Sequence, residues 1–198
     1  MDETRSLTRP HNPWVPLAFF ALAVLLVVTL IGGCVAAFVT SVPRETLEVP
    51  LTDLTLGVPR FYPQTRFGSD GAGRTLGVWL VRRADGEVLA FYSRDPHTGC
   101  QVPWRGGEAF ESHEGVFHEP CGGWRYTLEG DAIFGAPPRG LDRFDTEVGD
   151  TSVTVDFERV RLGECREGVE PDVGTCSGPG APVYRDTPPP AIAGESFR

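Results

Sequence analysis

Short alternating runs of β-branched and aromatic residues constrain the fold of this chain more than any other feature. Residues 75–81 and 87–92 are two such runs around an Asp85-Gly86 turn, which is typical of a β-hairpin. Residues 151–158 alternate regularly, which predicts a strand with Val153, Val155 and Phe157 facing the core. No segment after residue 46 has a convincing helical period, so we expect an all-β domain there.

Composition agrees with this class and excludes one kind of partner. Gly and Pro make up about a fifth of the 198 residues, against a usual share of about 12%. This excess favours short strands joined by turns over a helical bundle. The net charge of −9 excludes a nucleic-acid partner, because phosphate binding depends on clustered cations.

An uncharged stretch of 24 residues, Leu17–Thr40, precedes the β-rich part. As a helix it would be roughly 36 Å long, enough to cross a hydrocarbon core of about 30 Å. We therefore predict a cytoplasmic tail over 1–13 and a transmembrane helix over 14–42. A bacterial lipoprotein processing site ending at Cys34, which would be lipidated, stays open as the alternative.

The predicted anchor sets the compartment and the domain boundaries. Two positive charges, Arg5 and Arg9, precede the predicted helix and one, Arg44, follows it closely, and positive charges favour the cytoplasmic side. This weak bias predicts a single-pass protein of the inner (cytoplasmic) membrane with its C-terminal domain on the extracytoplasmic, periplasmic side. We place a β domain at 43–162 and a Gly/Pro-rich extension, ordered or disordered, at 163–198. In an oxidising space cysteines default to disulfides, and Cys165 with Cys176 is the natural tail pair, although four cysteines allow three pairings.

Three short segments carry the most specific signal. The first loop, 95–100, reads Asp-Pro-His-Thr-Gly-Cys; the second loop, 119–126, reads Glu-Pro-Cys-Gly-Gly-Trp-Arg-Tyr; the proline loop, 135–141, reads Gly-Ala-Pro-Pro-Arg-Gly-Leu. In this order and spacing they resemble the cluster-binding subdomain of Rieske iron–sulfur proteins of the quinol:cytochrome c reductase type. That family has Cys-x-His-x-Gly-Cys, then Cys-x-Cys-His-Gly, then a proline loop of the form Gly-Pro-Ala-Pro-Arg.

The resemblance implies a fold and a setting. It implies a Rieske-like antiparallel β head with a small cluster-binding-type subdomain over 94–141, carried on the single N-terminal transmembrane helix. It also implies membership in a respiratory or photosynthetic electron-transfer complex, of cytochrome bc type or a relative. The membrane and the other subunits of that complex would be the partners.

The departures from the family pattern decide the expected chemistry. A Rieske cluster takes two thiolates on one iron and two imidazoles on the other. Carried over by position, the thiolates become Asp95 and Glu119, one imidazole is kept as His97, and the other becomes Gly122. Carboxylates are poor substitutes for thiolates, and glycine offers no ligand. We therefore expect no cofactor, no [2Fe–2S] cluster and no catalytic residue of the chain's own.

The resemblance also implies a disulfide. Cys100 and Cys121 match the two family cysteines that are not ligands and that tie the two cluster loops together. With Cys34 in the apolar stretch and Cys165 and Cys176 in the tail, no cysteine remains for a cluster.

The same loops also contain residue types that bind metals. His97 and His118 are weak candidates for a zinc site with Cys100 and Cys121, and Asp95, His97 and Glu119 for a mononuclear metal. The favoured interpretation is a subunit without electron transfer of its own, acting in structure, assembly or docking. The alternatives are a redox or metal-binding subunit with altered ligation and a free-standing extracytoplasmic interaction domain.

Overall fold

A computed structural model describes residues 14–40, 45–166, 175–178 and 180–186. Within residues 14–40 the side chains are described at positions 20–33. The helix α1 and the β-rich part from residue 45 onward are two separate units. The predicted tail over 1–13 lies outside the described residues.

The described part contains one α-helix and eleven strands. The helix is α1, Trp14–Thr40. The strands are β1 Thr46–Pro50, β2 Arg60–Pro63, β3 Gly77–Arg82, β4 Val88–Tyr92, β5 Trp104–Phe110, β6 His113–His118, β7 Arg125–Tyr126, β8 Ala132–Phe134, β9 Arg143–Val148, β10 Ser152–Arg161 and β11 Tyr184–Asp186.

The prediction of a transmembrane anchor over 14–42 is wrong. Within the part of the chain that the structure describes, no helix combines the length and the apolar character that a bilayer crossing requires. The predicted single-pass localisation in the inner membrane is corrected with it.

The larger sheet has the strand order β1-β10-β9-β4-β3-β2, and all of these pairs are antiparallel. The β3–β4 hairpin confirms the prediction from the Asp85-Gly86 turn, and Gly86 adopts a φ of 92°, which glycine tolerates without strain. Val153, Val155 and Phe157 of β10 are buried as expected, and the strand runs on to Arg161. The expected all-β, antiparallel class is therefore confirmed for the described part after α1.

The smaller sheet has the order β5-β6-β7-β8 and is inserted between β4 and β9 of the larger one. Its register places the start of β5 opposite the end of β6, the end of β6 opposite the start of β7, and the start of β7 opposite the end of β8. The first loop leads into β5, the second joins β6 to β7, and the proline loop leaves β8. All three loops therefore meet at one end of the smaller sheet.

Two apolar cores flank β4, whose five residues are all buried. Val88, Ala90 and Tyr92 face a first core of the larger sheet, whereas Leu89 and Phe91 face a second core. The second core also contains Val81, Val102, Phe117, Tyr126 and Leu141, with Trp79, Trp104 and Trp124 packed against it. This second core lies next to the end of the smaller sheet at which the three loops meet, called the loop end from here on.

Phe67 is the centre of the first core. Its ring is 1% exposed and lies 5.0 to 5.5 Å, between centroids, from the rings of Tyr92, Phe144 and Phe157. We predict that Phe67→Ala lowers the free energy of unfolding by about 3–5 kcal/mol, because it leaves a cavity among packed rings. Urea denaturation followed by circular dichroism measures the change.

The matched control is Phe134→Ala, since Phe134 is 46% exposed. Its cost is expected to be about 1 kcal/mol or less. Equal costs for the two substitutions would contradict the assignment of Phe67 to the centre of the core.

Candidate functional site

The first loop is closed by the carboxylate of Asp95. Its Oδ1 accepts hydrogen bonds from the backbone N–H of His97 (2.9 Å) and of Thr98 (2.6 Å) and from the Thr98 hydroxyl (3.0 Å). The backbone N–H of Asp95 donates to the carbonyl of Cys100, and that of Gly99 donates to the carbonyl of Asp95. Asp95 is 2% exposed, so the hydrogen bonds that its carboxylate accepts come from within the protein, and those to Oδ1 come from the turn that contains it.

The second loop repeats this arrangement around Glu119, which is fully buried. Its Oε1 and Oε2 accept from the backbone N–H of Cys121 and of Gly122, both at 2.6 Å. The N–H of Gly123 donates to the carbonyl of Glu119, and the N–H of Glu119 donates to the carbonyl of Trp124. Both positions that carry a thiolate in the family pattern therefore hold a carboxylate that accepts from its own loop.

Tyr126, the last residue of β7, completes the environment of Asp95. Its hydroxyl donates to Asp95 Oδ2. Burial raises the pKa of Tyr126 above its ordinary value, and the neighbouring Asp95 carboxylate raises it further. The phenol therefore stays protonated and serves as a hydrogen-bond donor to a buried anion.

Trp124 is the site residue whose role sequence reasoning missed. A Cβ atom added at Gly122 would lie 2.6 Å from Cζ2 and Nε1 of Trp124, and one added at Gly135 would lie 2.7 Å from its Cδ2 and Cζ3. The ring of His97 lies edge-on at 6.2 Å from the indole, between centroids. The indole thus touches all three loops, and the pattern Gly-Gly-Trp in the second loop was the available signal.

The two histidines are not brought together as ligands. His97 is exposed beside Trp124. His118 Nδ1 is 2.8 Å from Glu108 Oε2, and Arg125 Nε donates to the other oxygen of Glu108 at 2.9 Å. The hydrogen bond from His118, and after it that from Arg125, holds the pKa of Glu108 below its ordinary value. His118 therefore belongs to a polar cluster on the smaller sheet.

Both predicted disulfides, Cys100–Cys121 and Cys165–Cys176, are present. Among the described residues, the one group that brings three metal-ligating atoms together is Cys100, Glu119 and Cys121, within 4.8 Å of one another. Because the two sulfurs are bonded to each other, this group offers no thiolate while the disulfide is intact.

The residues at the site do not fit a [2Fe–2S] cluster. Asp95 and Glu119 accept hydrogen bonds from their own loops, and the Cα of Gly122 is covered by the Trp124 indole. Of the four ligand positions, His97 alone carries a side chain of the family type. The donor set is carboxylates plus one imidazole, which suits a hard metal and not an iron–sulfur unit.

A third buried carboxylate, that of Asp70, ties the first loop to the chain segment before β3. Asp70 accepts from the backbone N–H of Ala72, Arg74 and Gln101, and Arg74 Nε donates to it at 2.7 Å. Arg74 Nη2 also lies 3.8 Å from Cys121 Sγ. Sequence reasoning did not find this link, because it joins residues far apart in the chain.

The proline loop is held by a buried ion pair and by the chain around the tail disulfide. Both Arg139 Nε and Nη2 donate to Asp142, at 2.8 and 2.9 Å, and Nη1 donates to the carbonyl of Thr175. The backbone N–H of Arg166 donates to the carbonyl of Pro138. The described residues of the predicted 163–198 extension therefore pack against the site.

A cavity of about 380 Å³ lies between the first loop, the proline loop and strands β10 and β11. Its lining includes Arg139, Asp142 and Asp95, and also His97.

Comparison with known proteins finds similar solved structures but assigns this chain to no family. No family model matches the chain, and no curated protein matches it. The solved structures similar to it include Rieske-type domains. The hyperthermophilic respiratory Complex III is 19% identical, with 68% of this chain and 97% of that chain covered and a TM-score of 0.40.

Two further neighbours extend this comparison. A protein assigned as an NADH-dependent nitrite reductase small subunit from Mycobacterium tuberculosis is 18% identical, with 61% and 98% covered and a TM-score of 0.35. The quaternary ammonium Rieske monooxygenase CntA is 16% identical, with 57% and 32% covered and a TM-score of 0.41. At identities and TM-scores this low, the neighbours decide neither the family nor the function of this chain.

We predict that loss of the Cys100–Cys121 disulfide loosens residues 94–125. The bond closes a separation of 21 residues, and a loop of that size is stabilised by about 3 kcal/mol. Hydrogen exchange of the double variant C100S/C121S should therefore rise in this segment and less elsewhere. The matched control is C165S/C176S, and unchanged exchange in 94–125 of the first variant would contradict the prediction.

We also predict a pH-dependent contribution from Asp70. Burial raises its pKa, but the hydrogen bonds from Gln101 N–H and from Arg74 outweigh this, so the pKa lies below its ordinary value of 3.8. The stabilisation is therefore fully present above that value and is lost as the pH falls through it and the lower folded pKa. Asp70→Asn should lower the free energy of unfolding by about 2 kcal/mol at pH 7 and less at pH 3.

The control for this measurement is Asp150→Asn, because Asp150 is exposed. Chemical denaturation at both pH values gives the comparison. A difference between wild type and Asp70→Asn that stays constant from pH 7 to pH 3 would show that the carboxylate does not act through its charge.

Proposed function

We propose that this chain is a Rieske-like subunit of a respiratory or photosynthetic electron-transfer complex, of cytochrome bc type or a relative. In this proposal it carries no [2Fe–2S] cluster and no electrons, and acts in structure, assembly or docking. The observation that supports it most directly is that Asp95 and Glu119 accept hydrogen bonds from their own loops. Three linked loops are kept while the ligands that a cluster needs are replaced.

The contacts around the loops support a static role. The first and second loops are joined by the Cys100–Cys121 disulfide, and the Trp124 indole lies against all three loops. The Arg139–Asp142 pair fixes the proline loop to the residue that follows it, so the loops hold their arrangement without a cofactor. A rigid surface of this kind suits docking to another subunit, since little conformational entropy is lost on binding.

The test is made in the native host with a tagged chain. We expect the chain to co-purify with haem-containing cytochrome subunits, and the chain purified alone to hold less than about 0.1 iron per molecule. Deletion of the gene should lower the amount of assembled complex while leaving turnover per remaining complex unchanged. A strain that expresses the tag alone is the control.

Two results would overturn the proposal. One is stoichiometric iron with a Rieske-type electron paramagnetic resonance signal in the purified chain. The other is a deletion strain that assembles normal amounts of complex with no turnover, because that pattern belongs to an electron carrier.

A second candidate is metal binding with altered ligation, favoured by the group Cys100, Glu119 and Cys121. Reduction of the disulfide would free two thiols beside a carboxylate, a donor set that suits zinc. This candidate requires zinc binding by the reduced chain and none by the oxidised chain in a calorimetric titration. Equal binding in the two states would contradict it.

A further inference from the structure

The Trp124 indole stands where one of the four cluster ligands would project in the family pattern, and beside the side chain at the position of another. It lies against the Cα of residue 122, the position of the second imidazole, and its neighbour across the first loop is the ring of His97, the position of the first. Gly135 of the proline loop lies against the other part of the indole. A single side chain thus fills the space between the three loops.

This packing leaves no room for a side chain at residue 122. A Cβ there would lie 2.6 Å from two indole atoms, which is closer than real Cβ atoms approach. The indole is also in close contact with Gly135, where the added Cβ would lie 2.7 Å from two other ring atoms. The ring is therefore held between two glycines and cannot swing aside as a flexible chain end would.

The constraint at residue 122 is steric and not conformational. Gly122 has no positive φ, whereas its neighbour Gly123 has a φ of 78° with nothing within 4 Å of an added Cβ. A side chain added at position 122 would clash with Trp124, whereas one added at position 123 would only strain the backbone. Substituting the two glycines separately therefore distinguishes the two effects.

The indole contributes volume and not a hydrogen bond. Its Nε1 is buried and finds no acceptor among the described residues. Apolar packing against the second core and the three loops remains as its role.

We propose that Trp124 is the residue that excludes the cluster and replaces it as the packing centre of the three loops. Glycine at position 122 is the condition for this packing, so restoring the missing ligands does not restore the site while Trp124 is present. The proposal rests on the proposed absence of a cluster and adds the side chain that enforces it.

A double-mutant cycle tests the packing in the chain as it is. We expect Gly122→Ala to lower the folding equilibrium constant at least tenfold when Trp124 is present and less than about twofold in the Trp124→Ser background. Gly123→Ala is the matched control, and its effect should be the same in both backgrounds. Equal effects of Gly122→Ala in the two backgrounds would overturn the proposal.

Two further measurements guard against a variant that fails to fold. The cycle is repeated with Trp124→Phe in place of Trp124→Ser, because phenylalanine is a smaller ring that keeps the apolar packing. Gly122→Ala is again expected to lower the folding equilibrium constant less in this background than when Trp124 is present. In the otherwise wild-type chain, Gly122→Ala should shift the Trp124 indole N–H resonance in a nuclear magnetic resonance spectrum, whereas Gly123→Ala should leave it in place. An unmoved resonance in Gly122→Ala contradicts the proposed contact.

Reconstitution with iron and sulfide tests the exclusion itself. The triple variant D95C/E119C/G122H restores the ligand set, and we expect it to load less than a tenth of the iron that the same variant loads with Trp124→Ser added, which should reach about two irons per chain. Equal loading with Trp124 in place would overturn the exclusion. These outcomes leave the proposed function untouched, because that function is tested by the iron content and assembly role of the unaltered chain.

Discussion

The loop end of the smaller sheet depends on the hydrogen bonding of two buried carboxylates. Removing an anion from water costs several kcal/mol unless donors surround it, and here Asp95 and Glu119 are surrounded by backbone N–H groups of their own turns. Each carboxylate therefore fixes the loop that contains it, and the disulfide and the indole then join two loops that are already shaped. The same contacts leave these carboxylates little capacity to bind a metal.

The site is best understood as a set of replacements that support one another. A carboxylate that binds its own loop is compatible with a glycine at position 122, because that glycine supplies one of the N–H donors to Glu119. The missing side chain at the same position makes room for the indole. Gly122 thus serves two purposes: its backbone N–H, which any residue except proline would keep, donates to Glu119, and its missing side chain leaves room for Trp124.

How far the sequence predicts this structure depends on the range of the interaction. The β3–β4 hairpin and the buried face of β10 follow from period-two patterns and a turn, which are local, and both are confirmed. The loop disulfide follows from a family resemblance. The contact of Trp124 with Gly135 and the link from Asp70 to Gln101 join distant segments, so no local pattern predicts them. The predicted anchor over 14–42 is wrong, because no helix in the described part of the chain is long and apolar enough to cross a membrane.

Strand β11 has a consequence for how the molecule behaves among copies of itself. Val160 of β10 pairs with Phe144 of β9 on one side and with Arg185 of β11 on the other, the side that β1 covers further along. The two short strands thus divide one border of the sheet between them, and the second comes from the C-terminal segment. Without it, the N–H and C=O groups of residues 159–161 would form an open ladder that can pair with another chain. The segment that contains β11 therefore replaces this ladder by an edge strand of three residues, and a short edge strand is a poor template for edge-to-edge association.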